Sequence, residues 1–120
     1  MTTPDADDAL DEAETVLRAF TGSPLAARLA TLDILGREVP LLLGEDGARW
    51  HGAIDLLYRD TDGTLVVADY KTDTSDDGAI ARHGEQLGVY VRAVRRAMSG
   101  ERVRAELWML RSGRVIALES

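Results

Sequence analysis

The 120-residue sequence contains no cysteine and only two histidines, His51 and His83. These absences exclude disulfide bonds, thiolate metal sites and a cysteine nucleophile, and they argue against a multi-histidine zinc site. No apolar run approaches the roughly 20 residues that cross a bilayer, and the N-terminal residues are acidic rather than a basic signal sequence. The sequence therefore predicts a soluble, cytoplasmic protein with no membrane partner.

Aromatic residues are also scarce, at 5% of the chain, whereas hydrophobic residues make up 45%. Leucine, valine, isoleucine and alanine must therefore fill most of the interior. A chain of this length can build one domain with a modest core. We expect a single domain over residues 1–120, with residues 1–8 disordered and the core within residues 37–118.

The net charge of −7 is unevenly distributed along the chain. Acids dominate residues 1–20, whereas residues 79–99 hold four arginines and a single glutamate. Overall acidity therefore does not exclude an anionic substrate at one face of the protein. Strong unaided binding of a long nucleic acid is doubtful, because phosphate contacts supply most of that affinity.

Hydrophobic periodicity and turn residues predict the element order α-α-β-β-β-α-β-β. The predicted helices span residues 9–20, 24–35 and 79–99. The predicted strands span residues 37–43, 48–58, 64–71, 102–110 and 114–118. This order favours a layered α/β or α+β fold rather than an alternating βαβα series.

Three finer expectations follow from the same patterns. Pro40 should lie at a sheet edge or bulge, because proline cannot donate to a ladder. The second strand should place alternate residues on one face, namely Trp50, Gly52, Ile54, Leu56 and Tyr58. The long helix should bury the stripe of Ile80, Leu87, Val91, Val94 and Met98.

The third predicted strand ends in Asp69-Tyr70-Lys71. Strand alternation places Asp69 and Lys71 on the same face. A carboxylate beside an ammonium can hold a divalent cation and stabilise developing negative charge. The pair is equally consistent with an ordinary ion pair on an edge strand.

Asp55 is an acid inside an otherwise apolar strand. An isolated buried carboxylate needs a cation, a metal or solvent, unless the strand frays there and Asp55 faces water. Across the predicted hairpin, Asp55 can face Asp69, and two such carboxylates repel unless a cation joins them. With the Tyr70 carbonyl they would form an all-oxygen site suited to Mg²⁺ or Mn²⁺. Lys71 would then position the attacking water or stabilise the transition state.

The long helix places Arg82, Gln86 and Tyr90 on one stripe, each one turn apart. Glutamine and tyrosine at this spacing could orient a phosphate or the lysine through hydrogen bonds. Alone, the pattern is equally typical of a polar helix border.

Together these motifs resemble the PD-(D/E)XK nuclease superfamily. The relevant segments are Gly-x-x-Asp at 52–55, Asp-Tyr-Lys at 69–71 and Gln-Leu-Gly-Val-Tyr at 86–90. They are most similar to the RecB-like nuclease domain at the C-terminus of helicase–nucleases such as AddA and RecB. The resemblance covers about residues 37–98 and implies a restriction-endonuclease-like core, a mixed sheet flanked by helices.

The resemblance also implies a function. It indicates an Mg²⁺- or Mn²⁺-dependent, exonuclease-type deoxyribonuclease in DNA repair or recombination, working with or cut from a helicase. Asp55 and Asp69 would be metal ligands and Lys71 the catalytic lysine, whereas Gln86 and Tyr90 would support the site and contact DNA.

The sequence departs from the RecB-like pattern at one position. That branch usually has a metal-binding histidine on a helix before the first strand, and no histidine precedes His51 here. We interpret His51 as a strand residue, whereas Glu38, Glu12 or Glu14 could supply a further acid. A catalytically weak or inactive module for protein interaction or DNA guiding is therefore the main alternative, and an unrelated α/β binding domain is a third.

Overall fold

The computed structural model describes residues 24–118 together with residues 18, 21 and 22. The described chain forms one mixed five-stranded sheet with strands in sequence order, in which β3 and β4 are parallel and all other neighbours antiparallel. This confirms the predicted mixed sheet flanked by helices. The elements are α1 (Pro24–Leu29), β1 (Asp33–Glu45), β2 (Ala48–Arg59), β3 (Leu65–Lys71), α2 (Asp76–Ala97), β4 (Val103–Met109) and β5 (Arg114–Leu118).

The helix boundaries differ from those predicted. The helix predicted at residues 9–20 and the disordered segment predicted at residues 1–8 lie outside the described residues, residue 18 excepted. The predicted helix to residue 35 is wrong, because α1 ends at Leu29. Asp33 and Ile34 instead pair with Arg59 and Tyr58 of β2, so that strand pairing outweighs local helix propensity.

Helix α2 begins three residues before the predicted start. The Ser75 side chain accepts a hydrogen bond from the Gly78 N–H and caps the helix, and Asp76 and Asp77 favour its positive end. The predicted stripe is buried only in its middle, at Leu87, Val91 and Val94. Its end residues are exposed, contrary to prediction: Ile80 and Met98.

The central position of β3 separates two apolar layers. On one face the sheet packs against α2 through residues such as Leu57, Val67, Leu87 and Val91. On the other face Leu25 of α1 packs with Leu56, Tyr58, Val66, Ala68 and Trp108. Because β3 is the middle strand, the interpretation of Asp69 and Lys71 as an edge-strand ion pair is wrong. The edge strand β1 does contain Pro40, as predicted.

Strand β2 does not keep the predicted alternation. Ile54 and Leu57 both belong to the layer under α2, whereas Leu56 and Tyr58 belong to the opposite layer. The prediction that residues 50–58 alternate regularly is therefore wrong, and the strand changes face around Asp55.

The neighbouring strand is distorted at the same place. The pairing of β1 with β2 passes from Arg37↔Leu56 to Val39↔Ile54 without a pair at Asp55, and Glu38 has a φ of 49°. This left-handed conformation is unusual for a residue with a side chain. One of the backbone irregularities of β1 therefore lies opposite the first acid of the predicted site, and another, a register shift, lies between Ile34 and Gly36.

Candidate active site

Strands β2 and β3 separate at the two acids. Their pairing runs from Arg59↔Leu65 to Leu56↔Ala68 and stops there. One step further, the same register would place Asp55 opposite Asp69. The Asp55 side chain replaces the missing ladder bond, because its Oδ2 accepts a hydrogen bond of 2.9 Å from the Tyr70 N–H. The register of the hairpin and the contact of Asp55 with Tyr70, the residue after Asp69, place the two acids side by side where the strands diverge.

Asp69 is buried, with 5% of the residue exposed. The Lys71 Nζ lies 2.8 Å from Asp69 Oδ2. The ammonium is the charged partner of Oδ2, and among the described residues no other group donates a hydrogen bond to this oxygen. A buried carboxylate oxygen with a single charged partner has lost more hydration than that one contact restores. The arrangement is therefore one that a further cation would stabilise.

The electrostatics of Asp69 point the same way. Burial, together with a hydrogen bond to Asp55 and the Asp55 charge, raises the pKa of Asp69 to about 6, although Lys71 opposes the shift. A titratable group shifted by desolvation and by a specific charged neighbour is typical of functional sites. A divalent cation between the carboxyl groups would compensate for the burial of the Asp69 charge and for its repulsion by Asp55.

The oxygen donors suit a hard divalent cation. A strand residue directs its N–H and C=O to the same side, so the Tyr70 carbonyl, like its N–H, faces β2 and Asp55. Two carboxylates and a carbonyl fit Mg²⁺ or Mn²⁺, and Mg²⁺ usually retains several waters. Within residues 24–118, no group of three or more acidic or histidine side chains could hold a metal ion. Glu38 and His51 are both exposed, and Glu12 and Glu14 lie outside the described residues.

The helix motif meets the first strand motif directly. Gln86 Nε2 donates a hydrogen bond of 3.0 Å to the Tyr90 hydroxyl. Tyr90 is buried, whereas Gln86 is exposed. A Cβ atom at Gly52 would lie 2.2 Å from the Tyr90 hydroxyl oxygen, so any other residue at position 52 would force the Tyr90 ring to move. Gly52 thus leaves the space that the Tyr90 ring occupies against β2, a contact that sequence reasoning missed.

Arg82 pairs with an acid of the loop after β3. Its Nη1 is 3.2 Å from Asp73 Oδ2, and its side chain is 73% exposed. His83 Nε2 lies 3.2 Å from the other Asp73 oxygen. Burial raises the pKa of Asp73, but the hydrogen bond and charge of His83 with the charge of Arg82 outweigh it, so the pKa is lowered. Sequence reasoning missed Asp73, although its position two residues after Lys71 was a usable signal.

A second buried acid lies on the opposite face of the sheet. Glu106 Oε1 accepts hydrogen bonds from the Tyr58 hydroxyl at 2.5 Å and the Trp108 indole at 3.1 Å. Arg28 and Arg104 each approach Glu106 Oε2 at 3.4 Å. Burial and the hydrogen bond to Glu106 raise the pKa of Tyr58. Sequence reasoning missed this cluster, although Glu106 stands in an apolar run between Ala105 and Leu107.

The family assignment follows from the sequence model of the PD-(D/E)XK nuclease superfamily, which matches residues 5–118. The chain belongs to this superfamily, and its mixed sheet with flanking helices is consistent with the restriction-endonuclease-like fold. Members generally use divalent metal ions. No curated protein matches the chain.

Solved structures show similarity over part of their length. A repair endonuclease from Pyrococcus abyssi is 24% identical with a TM-score of 0.43, covering 89% of this chain and 38% of that chain. An EndoMS–dsDNA2 complex is 30% identical with a TM-score of 0.37, covering 57% of this chain and 27% of that chain. The chain thus spans well under half the length of either protein. No described helix is long and apolar enough to cross a membrane.

Proposed function

We propose that the chain is a metal-dependent DNA nuclease domain that hydrolyses phosphodiester bonds. The observation that supports this most strongly is the pair of adjoining carboxyl groups of Asp55 and Asp69. One buried oxygen of this pair lacks a hydrogen bond, and the Lys71 ammonium lies beside it. Membership of the nuclease superfamily gives this arrangement its chemical meaning.

The metal ligands in this proposal are Asp55, Asp69 and the Tyr70 carbonyl, which would hold Mg²⁺ or Mn²⁺. When bound, such an ion lowers the pKa of a coordinated water and neutralises charge on the phosphate. Lys71 is the catalytic lysine. Its ammonium is half-buried and held on the same face as Asp69, so it can orient the water or stabilise charge developing on the phosphate.

The substrate contacts in this proposal lie on the first turns of α2. Arg82 and Gln86 are exposed and one turn apart, so they present a guanidinium and an amide on one stripe. Both groups can donate hydrogen bonds to phosphate oxygens. Tyr90 is buried behind Gln86 and supports the site from within.

The proposed function includes a helicase partner and a role in DNA repair or recombination. With a net charge of −7, the chain gains little from nonspecific attraction to DNA. A helicase domain or subunit that delivers a DNA strand would remove this disadvantage. We therefore propose an exonuclease-type enzyme of DNA repair or recombination, cytoplasmic, formed by residues 1–120 as one domain and acting with a helicase.

A second function, an inactive module for protein interaction or DNA guiding, has one observation in its favour. Within the described residues, no third acidic or histidine side chain joins Asp55 and Asp69. The two functions differ in whether the chain cleaves DNA with the help of Lys71 or does not cleave DNA at all.

The deciding experiment is incubation of the chain with single- and double-stranded DNA in Mn²⁺, in Mg²⁺ and in a chelator. We expect cleavage that requires the metal and is lost in Asp69→Ala and Lys71→Ala. Lys71 is the sole lysine in the sequence, so acetylation of the amines of the folded protein should also abolish cleavage, because it removes the positive charge of this side chain. Asp62→Asn, a change of an exposed acid at the β2–β3 turn, is the matched control. Absent cleavage, or cleavage that survives Lys71→Ala, would contradict the nuclease proposal for this chain.

A further inference from the structure

The segment of β2 that leads to Asp55 is not held by β3. Pairing between these strands ends at Leu56↔Ala68. From Ala48 to Ile54, the described partner of β2 is β1, an edge strand of the sheet. This two-stranded segment therefore needs another support to fix the distance between Asp55 and β3.

Helix α2 supplies that support on one face. Leu43 and Ile54 of the segment belong to the same buried layer as Leu87, Tyr90 and Val91 of the helix. Apolar packing of this kind is non-directional, so by itself it does not define where one backbone atom lies.

The contact between Tyr90 and Gly52 is much more specific. A Cβ atom on Gly52 would lie 2.2, 2.7 and 2.8 Å from three atoms of the Tyr90 phenol. The phenol thus occupies the space where a side chain would stand and rests on the backbone of β2. Gly52 lies three residues before Asp55, next to the place where the strand changes face.

Gln86 fixes the polar end of this contact. Its Nε2 donates to the Tyr90 hydroxyl at 3.0 Å from one turn earlier on α2. The hydroxyl oxygen is therefore held in one direction while the ring is buried. Tyr90 belongs to α2 and contacts Gly52 of β2, and Gln86 holds its hydroxyl group, so this side chain sets the distance between α2 and β2.

We propose that Tyr90, seated on Gly52 and held by Gln86, is a positioning residue for Asp55. Its contact sets the position of β2 at which the Asp55 carboxylate reaches both the Tyr70 N–H and Asp69. The proposal rests on the proposed function, because it assumes that Asp55 and Asp69 hold a metal ion. It assigns a role to Gly52 and predicts that Tyr90 affects metal binding rather than DNA contact.

The test measures Mn²⁺ affinity by titration calorimetry and DNA affinity by fluorescence anisotropy in chelator, on the full chain. We expect Gly52→Ala to weaken Mn²⁺ binding about 10-fold, the lower range for loss of a partner that orients a metal ligand. Tyr90→Phe, which removes only the hydroxyl, should weaken it less. Neither change should alter DNA affinity without metal. Circular dichroism checks that the variants fold. If Gly52→Ala does not fold, the Mn²⁺ affinity of Tyr90→Phe alone tests the proposal.

Two further variants separate this inference from the function on which it rests. In an Asp55→Asn background, Tyr90→Phe should have no additional effect on Mn²⁺ affinity, because both changes act through one carboxylate. Normal Mn²⁺ affinity in Tyr90→Phe, with weakened DNA binding, would overturn the inference and make Tyr90 a substrate contact. If Asp69→Asn itself leaves Mn²⁺ binding intact, the metal site and the proposed function are wrong.

Discussion

Two buried acids in the same sheet, Asp69 and Glu106, have opposite surroundings. They are 5% and 3% exposed and lie on the neighbouring strands β3 and β4. Glu106 receives hydrogen bonds from a phenol and an indole and lies beside two guanidinium groups. Asp69 has one ammonium, faces another acid and keeps an oxygen without a hydrogen bond among the described residues.

The number of hydrogen-bond partners distinguishes a structural buried acid from a functional one. A buried carboxylate that receives all its hydrogen bonds helps to specify one packing arrangement, and its removal leaves the donor groups without an acceptor. A buried carboxylate that lacks some of these hydrogen bonds lowers the stability of the fold unless a further group, such as a metal ion, binds to it. The parallel register aligns Glu106 with Ala68, the residue before Asp69, so the two acids point to opposite faces of one sheet.

Removing Glu106 should have the largest effect on folding. Glu106→Ala would leave Arg28, Arg104, Tyr58 and Trp108 without their shared acceptor, and we expect a loss of about 3–5 kcal/mol in the free energy of unfolding. Urea denaturation measures this directly. Glu106→Gln keeps the shape and should lose less. A loss below about 1 kcal/mol in Glu106→Ala would show that the cluster does not stabilise the fold.

Removing Lys71 should have the largest effect on chemistry. We expect Lys71→Ala to lower the cleavage rate by about 10²–10³-fold, the range for loss of one group that stabilises the transition state. Its unfolding free energy should fall by less than that of Glu106→Ala, because Asp69 can take up a proton once the ammonium is gone. Single-turnover cleavage in Mn²⁺ measures the rate. Glu106→Gln is the matched variant and should cleave normally when folded.

The raised pKa of Asp69 predicts a specific pH dependence of the metal-free protein. The folded carboxyl titrates at about 6, whereas an unfolded aspartate titrates near about 3.9. Between these values the folded state binds more protons, so this group makes the protein less stable as pH rises through the window. We expect a contribution on the order of 2 kcal/mol.

Asp69→Asn isolates that contribution. In chelator, it should be more stable than the wild type at pH 7 and lose this advantage at pH 4, as measured by urea denaturation. Equal stability of the two proteins at both pH values would contradict the raised pKa of Asp69. Glu106→Gln should show no such gain at pH 7.

The smallest predicted effect concerns Tyr58. Tyr58→Phe removes one donor to Glu106 and the hydroxyl that accepts a hydrogen bond from Arg28, but it leaves Trp108 and the arginines in place. We expect a loss of about 1–2 kcal/mol in unfolding free energy, as for two hydrogen bonds of a partly solvated group. Thermal unfolding followed by circular dichroism measures it. A stabilising change would show that the short contact between Tyr58 and Glu106 is unfavourable.

Local patterns in the sequence predicted the elements and the motif residues. Alternation and turn residues located the hairpin before β3, and the apolar stripe located α2. The acids at positions 55 and 69 were marked by their place inside apolar strands. These features are local because each depends on a few consecutive residues and their intrinsic preferences.

The features that were missed depend on tertiary structure. The early end of α1 follows from pairing of Asp33 with β2, and the change of face at Asp55 follows from a distortion shared with Glu38. The seat of Tyr90 on Gly52 joins residues on different elements. Such contacts leave no periodic signal, since they arise only when separate elements meet.

The metal site can be tested most directly with a crystal of the protein soaked in Mn²⁺ and measured at the manganese absorption edge. We expect an anomalous peak within about 2.5 Å of an oxygen of both Asp55 and Asp69, and no peak at Glu106. No peak between these two acids at saturating Mn²⁺, or a peak bound elsewhere, would contradict the proposed metal site.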